Sequence, residues 1–156
     1  LVVVMKFIIW SLIITKIKKK KLLNLFLISN IYPKEIESIF DTIKRSKPLG
    51  FRDYILFEFL YGTGVRVSEL VAIKLKDIDL EEGLVLVHGK GSKDRYVPLH
   101  GKLIEGIKTY LLIARPAILK PNQSDEKHLF INYKGTKLTD RGVRYIINKI
   151  MTNSGE

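Results

Sequence analysis

The stretch that decides the fold runs from Leu60 to Leu99 and reads "LYGTGVRVSELVAIKLKDIDLEEGLVLVHGKGSKDRYVPL". It opens with two glycines and Arg66, and an amphipathic helical pattern follows directly. A cation at this end of a helix is unexpected, because the helix macrodipole places positive partial charge at the N-terminus. We therefore expect a negatively charged group beside Arg66.

A bound phosphate is one candidate for that negative group. A glycine turn exposes backbone N–H groups and a helix start adds more, so anions bind well there. A guanidinium can hold a phosphate with two parallel hydrogen bonds, which lysine cannot match. Glu69, one turn further along, is placed to orient Arg66. If only the spacing of three positions is considered, however, an ordinary ion pair on the helix surface explains the presence of Arg66 and Glu69 better than a phosphate site does.

The second half of the stretch predicts a β-hairpin. A short apolar run at Leu84 to Val87 is followed by a glycine-rich polar turn and by a second extended run at Arg95 to Leu99. Pro98 predicts that the second strand lies at a sheet edge or ends there, because proline cannot donate a ladder hydrogen bond.

The predicted hairpin tip carries Lys90, Lys93 and Arg95. A protruding basic turn can enter a nucleic-acid groove, and a lysine on it can contact the backbone or donate a proton. The alternative interpretation is an ordinary solvent-exposed turn that is rich in lysine and binds nothing, and its composition would be the same. A nucleotide-binding P-loop is excluded, because Gly91 follows Lys90 where serine or threonine is required.

Helical patterns flank this stretch on both sides. "YPKEIESIFDTIKRS" and "FRDYILFEFLYG" precede it, the second ending at Gly62, and "RVSELVAIKL" lies within it. The buried stripe predicted for the third pattern consists of Val67, Leu70, Val71 and Leu75.

After the hairpin, "GKLIEGIKTYLLIA" is helical, with Leu103, Ile107 and Leu111 aligned on one face. We expect "RPAILKPNQSDEK" to form a loop or a broken segment and "HLFIN" to be extended. Thr139 is the predicted N-cap of a last helix, "DRGVRYIINKIM". The predicted fold class is mainly α with a small antiparallel β-sheet (α+β).

Composition limits the function classes. The chain has 156 residues, enough for one domain, and it has no cysteine, which excludes disulfides and thiolate chemistry and favours an intracellular, cytoplasmic protein. Its histidines, His88, His100 and His128, do not have metal-ligand spacing, so we expect no metal site.

The net charge of +11 is unevenly distributed along the chain. Residues 1–30 contain six lysines and no acidic residue, residues 31–82 carry a net −2, and residues 83–156 carry a net +7. A basic second half suggests a polyanionic partner. The same net charge would result from a need for solubility together with an AT-rich genome whose proteins contain many lysines. The charge alone does not decide between these explanations.

Residues 1–30 form an atypical leader of apolar residues and lysines. The apolar run is too short to span a membrane, and its charges lie on the wrong side for a signal peptide. A membrane-surface segment is one interpretation. We favour translated upstream sequence or the remnant of a lost domain, and expect the leader to lie outside the folded domain.

Taken as an ordered string, these motifs closely resemble the tyrosine recombinases, especially their Xer-type integrase branch. The string is T-G-x-R-x-S-E-L, then D-I-D, a strand, and G-K-G-x-K-x-R-x-V-P-L, and "LFINYKGTKLTDRGVRYIINKI" continues it. The resemblance covers roughly residues 31–150. A pattern of this length is far more specific than a short motif.

The resemblance implies a reaction. Recombinases of this family cut DNA by attack of a tyrosine hydroxyl on a phosphodiester, which forms a 3′-phosphotyrosyl link and a free 5′-hydroxyl without metal or ATP. By resemblance, Arg66 stabilises the charged five-coordinate phosphorus, with Glu69 supporting it, and Lys90 is the general acid for the leaving 5′-oxygen. No cofactor is expected.

The resemblance also implies the partners. Double-stranded DNA is the expected ligand, possible further partners are other recombinase subunits, and neither a small-molecule substrate nor a membrane is expected. The residues expected to contact DNA phosphates are Lys93, Arg95, Arg141 and Arg144.

Some of the family's motifs are missing from these residues. The family's H-x-x-R-H motif does not occur, and all seven tyrosines precede the place where the nucleophile belongs. We therefore expect residues 31–156 to be a partial catalytic domain, truncated by gene decay, a frameshift or choice of boundaries, and inactive alone. The alternatives are a non-catalytic DNA-binding accessory or decoy protein and, less favoured, a membrane-surface protein.

Overall fold

The structure is a computed structural model that describes residues 33–89, 91, 93–119 and 126–153, with side chains from residue 37. The predicted leader at residues 1–30 lies outside these ranges. The described elements, in chain order, are α1 (Pro33–Thr42), α2 (Pro48–Thr63), α3 (Val67–Ala72), a 3₁₀ turn (Leu75–Asp77), β1 (Ile78–Asp79), β2 (Leu84–Val87), β3 (Arg95–Pro98), α4 (Gly101–Thr109), a π-helical segment (Tyr110–Ala114), α5 (Arg115–Ile118) and α6 (Asp140–Asn153).

The prediction of a mainly helical fold with a small antiparallel sheet is confirmed. Across the described residues, no helix combines the length and the apolar character that crossing a bilayer requires.

The sheet has three antiparallel strands in the order β1-β2-β3. The predicted hairpin is confirmed in place, with Leu84 opposite Pro98 and Val87 opposite Arg95. Pro98 lies on the edge strand β3, where a missing N–H costs no ladder hydrogen bond. The two-residue strand β1, which pairs Ile78 with Val85, was not predicted.

Helix α2 is the centre of the core. Every residue from Tyr54 to Leu60 is buried, because the helix is surrounded by other elements instead of facing solvent on one side. It begins at Pro48, whose lack of an N–H is harmless at a helix start. It ends where Gly64 adopts a φ of 66° and donates its N–H to the carbonyl of Leu60. The predicted stop at Gly62 is therefore wrong by two residues.

Helix α3 is shorter than its sequence pattern suggests. Val67, Leu70 and Val71 are buried as predicted, but Leu75 is exposed. The helix ends at Ala72 and the backbone of Ile73 is extended, so Leu75 leaves the helical register. Ile73 takes the buried place instead.

The chain from α4 to α5 remains helical through residues expected to form a loop. Leu103 and Ile107 are buried as predicted, while Leu111 is only half-buried. The π-helical segment shifts the hydrogen-bond pattern, and the N–H of Arg115 bonds to the carbonyl of Tyr110. This shift accommodates Pro116, which has no N–H to continue an α-helical ladder. The prediction of a loop is wrong for Arg115–Ile118.

Two buried arginines hold the segment 126–131 against the helices. Arg115 donates to the carbonyls of Glu126 (2.6 Å), His128 (2.9 Å) and Leu129 (3.3 Å). Arg52 on α2 donates to the carbonyl of Ile131 at 2.9 Å. Within this segment, His128 forms an isolated antiparallel bridge with Lys74, and Ile131 forms one with Lys137. The segment does not form a regular strand.

Helix α6 closes the described chain and packs against α1 and α3. Thr139 is its N-cap as predicted, with its Oγ1 accepting from the N–H of Gly142 at 3.1 Å. Val143, Ile146 and Ile150 form the buried face. This packing makes α6 a neighbour of the helix that Arg66 begins.

Candidate active site

The turn before α3 sets the position of Arg66. Thr63 donates its hydroxyl to the carbonyl of Phe59 at 2.6 Å and accepts from the N–H of Val65 at 3.4 Å. Gly64 then reverses the chain in the left-handed region, which favours glycine. Arg66 is the N-cap of α3, as its sequence position predicts, and its side chain is 71% exposed.

Glu69 caps the same helix start from inside the protein. Its Oε2 accepts the backbone N–H of Arg66 at 2.8 Å, and its Oε1 lies 3.4 Å from Nη1 of Arg66. The first contact satisfies one of the N–H groups that a helix start leaves without a partner. Glu69 is buried, so its charge needs partners.

The main partner of Glu69 is Arg95 at the beginning of β3. The two Nη nitrogens of Arg95 donate to the two carboxylate oxygens of Glu69, both at 2.9 Å. These hydrogen bonds, together with the N–H of Arg66, outweigh burial and hold the pKa of Glu69 below its ordinary value. The carboxylate is thus ionised, and both of its oxygens are occupied by other donors. The guanidinium of Arg66 therefore makes only one long contact to it, at 3.4 Å.

The structure brings together Arg66, Glu69 and Arg95 among the predicted site residues. Lys93 is exposed on the turn before β3. Lys90, the predicted general acid, lies outside the described residues. The guanidinium of Arg95, predicted to contact DNA, points to Glu69 and is partly exposed.

Arg141 and Arg144, the remaining predicted DNA contacts, lie on α6. Both side chains are exposed. Helix α6 packs against α3, so the structure places these arginines on the neighbour of the helix that Arg66 begins. Arg141, Arg144 and Arg66 therefore belong to adjoining elements.

Sequence reasoning missed a second cluster at the base of the hairpin, formed by Asp77, His88 and Asp94. Nδ1 of His88 lies 2.9 Å from Oδ2 of Asp94, and Nε2 lies 3.4 Å from Oδ1 of Asp77. One signal was available, since Asp77 follows Lys74 at the spacing of a carboxylate cap and accepts its N–H at 2.9 Å. Across the ranges that the structure describes, no group of three or more His, Asp and Glu side chains is arranged to hold a metal ion.

The match to known families extends over most of the chain. A model described as the phage integrase family matches residues 29–156. The chain belongs to this family. The family includes the tyrosine recombinases, so the resemblance in the sequence motifs is confirmed.

Relatives of known sequence are Xer-type recombinases. The chain is 43% identical over 121 residues to the tyrosine recombinase XerC of Oceanobacillus iheyensis, covering 78% of this chain and 40% of the relative. It is 41% identical over 121 residues to XerC of Bacillus subtilis, with the same coverage. The chain thus spans about two fifths of the length of these relatives.

Solved structures show the same architecture. A crystal structure of XerA recombinase superposes with a TM-score of 0.67 at 23% identity, covering 80% of this chain and 42% of that one. XerH recombinase bound to palindromic difH substrate, a post-cleavage complex, superposes with a TM-score of 0.65 at 30% identity, covering 80% of this chain and 36% of that one.

Proposed function

We propose that this chain is part of the catalytic domain of a site-specific DNA recombinase and that Arg66 binds the phosphate at which a DNA strand is cut. One observation carries the proposal. The guanidinium of Arg66 is 71% exposed at a helix start while Glu69, its nearest carboxylate, is occupied by two short hydrogen bonds from Arg95. A cation in that position attracts an anion from outside the protein.

The geometry suits a phosphate better than an internal carboxylate. Glu69 holds the backbone of Arg66 at 2.8 Å, so the base of the side chain is fixed although its tip is exposed. A preorganised cation stabilises negative charge that develops during the reaction without having to reorganise. Arg95 contributes by keeping Glu69 occupied, a positioning role that differs from direct phosphate contact.

The proposed reaction follows from the recombinase resemblance. A tyrosine hydroxyl of the intact enzyme gives up its proton to a base or to solvent and attacks the phosphorus, and the bond from phosphorus to the 5′-oxygen breaks. Lys90 supplies the proton that the leaving oxygen takes up and regains one from solvent. Arg66 neutralises the charge that accumulates on the non-bridging oxygens. None of the seven tyrosines of this sequence is assigned the attacking role.

Contacts to the DNA backbone beyond the scissile phosphate are proposed for the exposed basic residues Lys93, Arg141 and Arg144, with a smaller share from Arg95. XerH is bound to DNA in its structure, and this supports DNA as the partner here. Such contacts position the duplex without reading its sequence. We therefore expect binding that is salt-dependent and weakly specific.

A polypeptide of these 156 residues alone is proposed to bind DNA without cutting it, since it has no H-x-x-R-H motif. Family membership supports this interpretation over an accessory or decoy protein of unrelated mechanism. A DNA substrate nicked so that cleavage is irreversible tests it, because cleavage leaves a covalent protein–DNA adduct. An adduct on a denaturing gel would contradict the proposed inactivity.

The role of Arg66 is tested by fluorescence anisotropy of a labelled 30-base-pair duplex over a series of salt concentrations. Arg66→Ala is expected to weaken binding by roughly ten- to a hundredfold, since a charged hydrogen bond contributes roughly 1.5–3 kcal/mol and each 1.4 kcal/mol is about a factor of ten. It is also expected to reduce the slope of log affinity against log salt by about 0.9, the effect of one lost phosphate contact. Arg66→Lys should keep most of the slope and lose part of the affinity.

Lys108→Ala is the matched control. Lys108 is exposed, pairs with Glu105 at 2.9 Å and lies on α4, which carries none of the proposed contacts, so its removal lowers the net charge equally. The control is expected to bind like the wild type. If Arg66→Ala and Lys108→Ala weaken binding equally, Arg66 acts only through net charge and the proposal fails.

A further inference from the structure

His88 lies at the end of β2 with its ring between two carboxylates. Nδ1 is 2.9 Å from Oδ2 of Asp94, which precedes β3, and Nε2 is 3.4 Å from Oδ1 of Asp77 in the 3₁₀ turn. These are the two charged groups that the described elements place against the ring, one from each neighbour. His88 has no part in the proposed chemistry.

The charge state of His88 decides whether both contacts are hydrogen bonds. Asp77 is buried, and its other oxygen is already occupied by the N–H of Lys74, so Oδ1 faces the imidazole. An ionised carboxylate only accepts, and a neutral imidazole has one N–H. Only the doubly protonated imidazolium can therefore donate to both carboxylates at once, which matters most for the buried Asp77, since Asp94 is exposed to water.

The contacts of His88 close the turn at its base. The ring joins the end of β2 to the beginning of β3 and joins both to the 3₁₀ turn. The backbone is also close there, since a Cβ placed on Gly89 would lie 2.3 Å from the carbonyl oxygen of Lys93. The hydrogen bonds to Asp94 and then to Asp77 raise the pKa of His88 above its ordinary value, which favours the bridging form.

We propose that His88, as an imidazolium, is a positioning residue that joins the end of β2 to Asp77 and Asp94 and makes the order of Gly91 and Lys93, which lie between His88 and β3, depend on pH. The inference rests on the proposed function, because Lys93 is a proposed DNA contact and Lys90 belongs to the same stretch of sequence. The bridge is complete below the pKa of His88. It loses one hydrogen bond as the pH rises through that pKa, so Gly91 and Lys93 become less ordered.

The test uses the ¹⁵N-labelled chain without DNA. The His88 ring is titrated by NMR, and backbone relaxation is measured at Gly91 and Lys93 across the same pH range. We expect His88 to titrate above the ordinary histidine value and the order of the turn to fall with the same midpoint. In His88→Gln, the turn is expected to show at every pH the mobility that the wild type shows at high pH.

His128→Gln is the control, because it removes a contact between an imidazole and a carboxylate, Glu126, at a different place in the fold. It should leave the response of the turn unchanged. Asp94→Asn provides a second variant, in which the pKa of His88 is expected to fall. The proposal is overturned if His88 titrates at or below its ordinary value, or if Gly91 and Lys93 behave alike in the wild type and in His88→Gln.

The outcomes of the two proposals can be told apart. If the turn follows the titration of His88 but the chain does not bind DNA, the bridge stands and the recombinase proposal fails. If the chain binds DNA through Arg66 but the turn does not respond to pH, the function stands and the role of His88 is wrong.

Discussion

Glu69 and Arg95 are 26 positions apart in the sequence, and their side chains meet through two parallel hydrogen bonds of 2.9 Å each. The pair joins the first turn of α3 to the first residue of β3. Because Glu69 also accepts the backbone N–H of Arg66, it connects the helix start that carries Arg66 with the hairpin. The proposed phosphate site therefore depends on a contact between two distant parts of the chain.

Replacing Glu69 by glutamine should destabilise the protein. The amide has one acceptor oxygen, and its NH₂ group faces the donors of Arg95, so at least one hydrogen bond is lost. We expect the free energy of unfolding in urea to fall by roughly 1–3 kcal/mol. Glu105→Gln, which breaks an exposed pair with Lys108, should change it by less than about 0.5 kcal/mol. Equal urea midpoints for Glu69→Gln and the wild type would contradict the structural role of the pair.

The same carboxylate should make stability sensitive to acid. The pKa of Glu69 is lower in the folded protein than in the unfolded chain, whose ordinary value is 4.5. The stabilisation is therefore present above that value and is lost as the pH falls through the folded pKa. Urea unfolding between about pH 7 and about pH 3 should show the loss in the wild type and a smaller loss in Glu69→Gln. Parallel curves for the two proteins would show that Glu69 does not titrate as proposed.

Removing the Arg66 side chain should separate binding from stability. The side chain is 71% exposed, and the hydrogen bond that caps α3 comes from its backbone N–H, which alanine retains. Arg66→Ala should therefore change the free energy of unfolding by at most about 0.5 kcal/mol while it weakens DNA binding. A large drop in the thermal midpoint would mean that Arg66 is a structural residue.

Gly64 should be intolerant of a side chain. Its φ of 66° lies in the left-handed region, where an ordinary L-residue costs about 1–2 kcal/mol. Gly64→Ala is expected to lower the free energy of unfolding by this amount. Gly101→Ala is the control, since a Cβ at the first residue of α4 meets no heavy atom within 4 Å. The control should be as stable as the wild type or slightly more stable, because alanine favours a helix.

Arg115 should contribute more to stability than an exposed arginine does. It is buried and donates to three backbone carbonyls in the segment 126–131. Arg115→Leu removes the guanidinium donor from the carbonyls of Glu126 and His128, whereas the carbonyl of Leu129 keeps the hydroxyl of Tyr110 at 3.1 Å. We expect a loss on the order of 2–4 kcal/mol by urea unfolding. The free energy of unfolding of Arg115→Lys should lie between those of the wild type and Arg115→Leu, because one ammonium group cannot reach all three carbonyls. If Arg115→Leu unfolds at the same urea concentration as the wild type, water replaces the guanidinium without cost.

Features that depend on neighbouring residues could be predicted from the sequence. The position of the hairpin was predicted because two short extended runs, the glycine-rich turn between them and an edge proline lie within a few positions of one another. The N-cap at Thr139 and the position of Arg66 at a helix start follow from equally local rules. The long ordered motif string indicated the family for the same reason, since it needs only the order of the residues.

Features that depend on packing could not be predicted in this way. Of the two glycines before Arg66, Gly64 ends α2, whereas Gly62 leaves room for His100, whose Nε2 would lie 2.7 Å from an added Cβ. Leu75 is exposed because α3 ends early, which its apolar pattern does not show.

The sequence by itself determined the family, the longer helices and the hairpin, and the presence of an arginine at a helix start. Only the tertiary structure decided that Glu69 pairs with Arg95 and that His88 lies between two carboxylates. The physical reason is the separation along the chain of the residues that interact. Helix caps, turns and hydrophobic periods are set by residues a few positions apart, whereas side-chain hydrogen bonds between distant segments form only when the packing of the core brings those segments together.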